Sequence, residues 1–107
     1  ADRVRQYLET LPSRELPITY GKLARGLGMY APGSVRKVTR ALEDTMREDA
    51  AAGRPFIAAR AVNRGRPARP GNGFFELARE LGRGPAGNQD AADYHARELH
   101  AGLADSG

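Results

Sequence analysis

The sequence predicts a mainly α-helical domain with a small β wing, that is, a winged helix-turn-helix, for three reasons. Two amphipathic helices are separated by a short turn, an apolar strand-like run follows them, and an arginine-rich loop follows that run. The 107-residue chain is long enough for one modest core and has no apolar run of the roughly 18 residues that cross a bilayer. We predict a winged-helix domain over residues 1–82, then a linker and C-terminal helix over residues 83–107 that is flexible or docks on a partner.

The first two helices are predicted from apolar spacing and from the residues that end them. Apolar residues recur at helical spacing over residues 2–11, and Pro12 ends the pattern. Thr19 is a good N-cap for a second helix over residues 20–27, and Gly28 suits the left-handed position that follows a helix. This second helix and the one after it form the predicted helix-turn-helix pair.

The third helix is the longest predicted element. We expect Ser34 to cap it and Gly53 to close it after about Ala52. Its apolar stripe consists of Val35, Val38, Leu42 and Met46. In a helix-turn-helix this second helix of the pair is the recognition helix.

The remaining elements are a strand, a loop and two helices. The run 56–63 is rich in Phe, Ile and Val and predicts a strand, and the turn-rich segment 64–73 is the predicted wing loop. Apolar residues at helical spacing favour a short helix over 74–81 rather than a second wing strand. A final helix over residues 91–103 has a thin apolar stripe, which predicts weak packing or docking on a partner.

Charges are sorted along the third helix. Its first half carries Arg36, Lys37 and Arg40, and its second half carries Glu43, Asp44, Glu48 and Asp49. A helix that meets DNA end-on with its N-terminal half would be charged in this way, because only that half approaches phosphate. The alternative is an ordinary solvated face on which Arg36 and Arg40 pair with Glu43 and Asp44. We favour binding, because cations at a helix N-terminus gain nothing from the helix dipole.

A second concentration of positive charge follows this helix. The net charge is +2 over residues 1–53, +4 over 54–82 and −2 over 83–107. We predict that a ribbon of cations in this region lies against phosphates or in a minor groove. Its members are Arg60, Arg64, Arg66 and Arg69. Of 17 basic residues all but two are arginine, which favours phosphate and guanine recognition. The alternatives are a solvated loop and the arginine bias of a GC-rich genome.

Three further residues join the predicted interface. Tyr20 is the first residue of the second helix. One interpretation is that its side chain packs in the core, and the other is that it hydrogen-bonds a phosphate or stacks on a base. Tyr30 lies in the turn before the third helix and Ser34 at its start. The predicted DNA-binding residues are therefore Tyr20, Tyr30, Ser34, Arg36, Lys37, Arg40, Arg60, Arg64, Arg66 and Arg69.

The sequence argues against catalysis and cofactors. Without cysteine the chain has no disulfide, thiolate zinc site or cysteine nucleophile. No Ser/His/Asp grouping or pair of catalytic carboxylates stands out, and His95 and His100 are five residues apart, the wrong spacing for two ligands on one helix face. We expect no enzyme activity, no cofactor and no metal site.

Part of the chain resembles the DNA-binding domain of the alkyltransferase family, which comprises methylguanine methyltransferases and catalytically inactive alkyltransferase-like proteins. Pro-Ile-Thr-Tyr-Gly-Lys-Leu-Ala at 17–24 is similar to the opening of the family's second helix, and Ser-Val-Arg-Lys-Val-Thr-Arg-Ala-Leu at 34–42 is similar to its recognition helix. The resemblance implies a winged helix in which Tyr20 helps to turn out a target nucleotide and Arg36 fills its place. The family's Pro-Cys-His-Arg motif is missing, so methyl transfer is excluded.

These observations predict a non-catalytic protein that binds double-stranded DNA. It would be a regulator or a nucleoid or DNA-processing accessory factor in the cytoplasm, with no membrane association. The alternatives are a winged-helix protein-interaction module, with the C-terminal helix binding a partner or a second copy, and an alkyltransferase-like sensor of DNA damage.

Overall fold

The computed structural model describes residues 2–65, 68–84 and 91–106, and over these residues the fold is mainly helical. The helices are α1 (Asp2–Thr10), α2 (Tyr20–Gly26), α3 (Ser34–Ala52), α4 (Asn72–Glu80) and α5 (Ala91–Ser106). Two short strands, β1 (Ile18–Thr19) and β2 (Ala61–Val62), form a parallel sheet, and 3₁₀ turns cover Ser13–Glu15 and Ile57–Arg60. In the described part of the chain, no helix has the length and apolar character needed to cross a membrane.

Local signals set most of the helix ends. The Thr19 hydroxyl accepts a hydrogen bond from the Lys22 backbone N–H (3.3 Å), which confirms it as the N-cap of α2. Gly28 and Gly53 have φ angles of +79° and +69°, the left-handed conformation predicted for them. The prediction that Ser34 caps α3 is wrong. Gly33 holds that position, and the Ser34 hydroxyl donates to the Ala31 carbonyl (2.5 Å).

The β structure differs from the predicted wing. The run 56–63 forms the 3₁₀ turn Ile57–Arg60 and then β2, not one continuous strand. Residues 56–62 are all buried, so they have no alternation that would distinguish a buried strand from a buried turn. β2 pairs in parallel with β1, and in the described ranges it has no antiparallel partner that would form a wing hairpin.

One core joins the helices. Its largest fully buried apolar side chains are Phe56, Leu8, Leu23, Met46, Val4, Val38 and Val62. Phe74 meets the Phe56 ring edge-on at 6.0 Å between centroids, which packs α4 onto the segment after α3. Val35 does not belong to the buried stripe predicted for α3. Burial along the helix begins at Val38, one turn after the helix starts, and the Val35 side chain is 46% exposed.

The C-terminal end of α3 is organised around a buried carboxylate. Asp49 is fully buried, and its Oδ1 lies 2.8 Å from Arg5 Nη1 and 3.2 Å from Arg54 Nε. Its Oδ2 accepts a hydrogen bond from the Ile57 backbone N–H at 3.0 Å. One side chain therefore joins α1, α3 and the 3₁₀ turn Ile57–Arg60.

α5 packs on this same 3₁₀ turn. His95 is buried there, with its Nε2 2.7 Å from the Ala59 carbonyl, and the buried Tyr94 packs on Phe74 and Phe75 of α4. Glu98 accepts hydrogen bonds from the Phe56 backbone N–H (3.0 Å) and from Arg83 Nη2 (2.7 Å). The thin apolar stripe is thus supplemented by polar contacts to the protein's own core, and of the two predicted alternatives, weak packing and docking on a partner, the second stays a prediction.

We expect the buried His95 to make the fold less stable in acid. Burial lowers the pKa of His95, partly offset by its hydrogen bond to the Ala59 carbonyl. The unfolded chain takes up a proton near pH 6.5 while the folded chain stays neutral, so stability falls as pH falls below about 6.5. The Tm should drop between pH 7.5 and 5.5, and it should drop less in His95→Gln. An equal drop in both proteins would contradict this account. His100→Gln, at an exposed position of the same helix, is the control.

Candidate nucleic-acid interface

Three cations lie together at the start of α3. Arg36, Lys37 and Arg40 are all exposed and line one surface cavity of about 370 Å³ together with Pro32 and Gly33. Arg36 and Arg40 are one turn apart and point away from the core, while Lys37 flanks them. We call these three side chains the basic cluster.

The protein's own carboxylates do not neutralise the basic cluster. Within the described ranges none of its three side chains makes an ion pair, so the predicted alternative, pairing with Glu43 and Asp44, is not observed. Asp44 pairs instead with Arg47 at 3.2 Å. The Glu48 and Asp49 carboxylates are used by arginines at the other end of the helix. The charge at the helix start is therefore free to meet an external anion.

A second cavity lies on the other side of the helix start. It has a volume of about 480 Å³ and is lined by Tyr20, Gly21, Val35, Val62, Asn63 and Arg64. The fold brings the exposed Arg64 to this cavity by way of β2, which pairs with β1 just before α2. Consecutive residues of α3, Val35 and Arg36, thus line two different cavities, so the helix start is a ridge between them.

Tyr20 anchors the loop that follows β2. Its hydroxyl accepts a hydrogen bond from the Gly71 backbone N–H at 2.9 Å. Burial raises the pKa of Tyr20, partly offset by this bond. A second closing contact is the hydrogen bond from the Asn63 N–H to the Arg69 carbonyl (2.8 Å). One end of the loop is therefore held to α2, and its two ends are held to each other.

Four other predicted site residues have three different outcomes. Tyr30 is 77% exposed in the turn before α3, and Arg69 is exposed on the loop, so both are accessible to a ligand. Arg66 lies outside the described residues. The Ser34 hydroxyl donates its hydrogen to the Ala31 carbonyl, so it cannot also donate a hydrogen bond to a phosphate.

The prediction that Arg60 contacts DNA is contradicted by its burial. Arg60 is 4% exposed, and its guanidinium donates to the carbonyls of Leu8 and Gly102, both at 3.2 Å. The 3₁₀ turn directs this side chain between α1 and α5, which lowers its pKa by burial. Counting arginines along a loop could not reveal this, because the turn's direction depends on contacts distant in sequence.

In the described part of the chain, no three histidine, aspartate or glutamate side chains are grouped as metal ligands would be. Comparisons with protein-family models, with curated proteins and with solved structures found no match for this chain. The interpretation of the site therefore depends on its geometry and charge.

Proposed function

We propose that this chain is a non-catalytic protein that binds duplex DNA, with the start of α3 entering the major groove. The observation that carries the proposal is the basic cluster, whose three side chains are exposed and lack a carboxylate partner in the described part of the chain. A major groove about 12 Å wide admits an α-helix, and recognition helices contact bases with their N-terminal residues.

Electrostatics explains why a polyanion is the expected ligand. The N-terminus of a helix already carries about half a positive charge from aligned peptide dipoles. Three more cations there repel that charge and one another, which is a cost to the free protein. When these cations meet the phosphates of DNA, attraction replaces the repulsion, and counterions condensed on the DNA are released.

The basic loop supplies a second contact in this proposal. Arg64 and Arg69 are exposed on a segment held to Tyr20, at one side of the helix start. Cations in this position would reach the backbone or the minor groove beside the recognition helix, as the wing does in a winged helix. The role would be that of a regulator or a nucleoid or DNA-processing accessory factor in the cytoplasm.

A salt titration tests the proposal. We expect random-sequence duplex DNA to bind with an affinity that falls steeply with salt, because the basic cluster and the basic loop together would place at least three cations against phosphates, and three such contacts give a slope of log affinity against log salt of about −2.7. Fluorescence anisotropy with a labelled duplex measures the slope. An affinity for the duplex that barely changes with salt would contradict binding through phosphate contacts, and absence of binding would refute the proposal outright.

A second candidate function is binding of damaged DNA, favoured by the cavity beside Tyr20. The cavity's volume of about 480 Å³ is in the range of small-ligand sites, roughly 300–1,000 Å³. An alkyltransferase-like sensor would bind a duplex containing O6-alkylguanine more tightly than the same duplex without the lesion. Equal affinity for the two would exclude this function and leave general duplex binding intact.

A further inference from the structure

Val35 is an apolar side chain in a charged setting. It is 46% exposed on the first turn of α3, directly before Arg36, and it lines the cavity that also holds Arg64. Single exposed apolar residues are common on protein surfaces. This one differs in its place, because cations of the proposed interface lie on both sides of it, so a bound duplex would cover it.

We infer that Val35 recognises the 5-methyl group of a pyrimidine next to a guanine that Arg36 contacts. The inference rests on the proposed function, since it requires the start of α3 to lie in the major groove. There the methyl group of thymine is the apolar feature at the base edges, and a guanine presents two acceptors that suit an arginine fork. Adjacent side chains on the helix would thus contact adjacent base pairs.

The chemistry of the side chain restricts what it can distinguish. Valine neither donates nor accepts a hydrogen bond, so it cannot recognise the amino or carbonyl groups of bases. It gains by excluding water from another apolar group, and burying one methyl group changes affinity by about fourfold. Thymine and 5-methylcytosine both carry this group, so the preference should follow the methyl group and not the base.

Two pairs of duplexes test the inference. In the first pair, an alternating TG strand annealed to its CA complement is compared with the same duplex carrying uracil for every thymine. In the second, an alternating CG duplex is compared with its 5-methylcytosine form. Each pair has the same charge and differs in the methyl groups. We expect the methylated member of each pair to bind about fourfold more tightly with an unchanged salt slope.

The outcomes separate this inference from the proposed function. Discrimination in both pairs supports recognition of the shared methyl group, and discrimination in the first pair alone contradicts it, because the preference then follows thymine and not the methyl group. Equal affinity within both pairs, with steep salt dependence retained, overturns the inference and leaves duplex binding standing. Absence of salt-dependent binding to all four duplexes overturns both.

A substitution at Val35 checks the assignment to this residue. Val35→Ala should fold normally, because the side chain is half exposed and alanine favours helix. Its affinity ratio between the thymine and uracil duplexes should fall from about four toward one, because the shorter alanine side chain covers less of the methyl group, with the salt slope unchanged. Val35→Ile, which keeps the apolar contact, should retain the ratio. A fourfold ratio in Val35→Ala would show that another residue recognises the methyl group.

Discussion

Replacing both Arg36 and Arg40 by glutamate should abolish binding to duplex DNA while leaving the fold intact. Each arginine contributes a charge-assisted contact of about 1.5–3 kcal/mol, so losing two predicts at least a 100-fold weaker affinity. Repulsion between the new carboxylates and phosphate adds to this loss. Both side chains are exposed and make no ion pair in the described residues, so circular dichroism and Tm should change little. Anisotropy titration at fixed salt measures the affinity.

The matched control for this variant changes the same net charge elsewhere. Arg47 lies on the same face of α3 as Arg36 but three turns later, about 16 Å along the axis, and it already pairs with Asp44. Arg97 is exposed on α5. The variant Arg47→Glu/Arg97→Glu should lose only the small affinity expected from a lower net charge. If it weakens binding as much as the first variant, the chain binds through overall charge and not through the start of α3.

Replacing Asp49 by alanine should cause the largest loss of stability of any single change considered for this chain. The substitution leaves Arg5 and Arg54 without their shared carboxylate and the Ile57 N–H without its acceptor. Leaving the buried Ile57 N–H without an acceptor costs about 1–3 kcal/mol, and the partly buried Arg5, which keeps only Glu48, adds to the loss; this is a large part of the roughly 5–15 kcal/mol by which domains are stable. Urea denaturation measures the change in the free energy of unfolding.

A second carboxylate on the same helix provides the control for Asp49. Asp44 pairs with Arg47 at the surface, where both side chains are about half exposed. Because exposed pairs contribute about 0–1 kcal/mol, Asp44→Ala should change stability little. Asp49→Asn should fall between the two, since its amide oxygen still accepts from Ile57 while the charge is lost. Equal losses in Asp44→Ala and Asp49→Ala would refute the role assigned to Asp49.

The elements set by local signals could be predicted from sequence. The sequence predicts the bounds of α3 at Ser34 and about Ala52 and favours a helix over a second wing strand for α4, because helical spacing and the glycine that ends a helix act over a few residues. The exposure of Arg36 and Arg40 followed in the same way, from their position opposite an apolar stripe. These predictions needed no knowledge of distant contacts.

Long-range packing decided what the sequence could not show. Asp49 belongs by sequence to the acidic half of α3, but Arg5 and Arg54 enclose it, so it is part of the core. Arg60 belongs by sequence to a basic ribbon, but its guanidinium is buried against the Leu8 carbonyl on α1. Both residues lie where several elements pack together. The charge pattern along one segment cannot predict such contacts between elements that are distant in sequence.

The most direct test of the central claim is to map amide NMR shifts of the ¹⁵N-labelled chain as duplex DNA is added. End-on docking of α3 predicts the largest changes over residues 33–40, with smaller changes in the loop around Arg64 and almost none over 44–52. Changes concentrated on α5, or spread evenly along α3, would contradict the claim that the start of this helix is the DNA-binding surface.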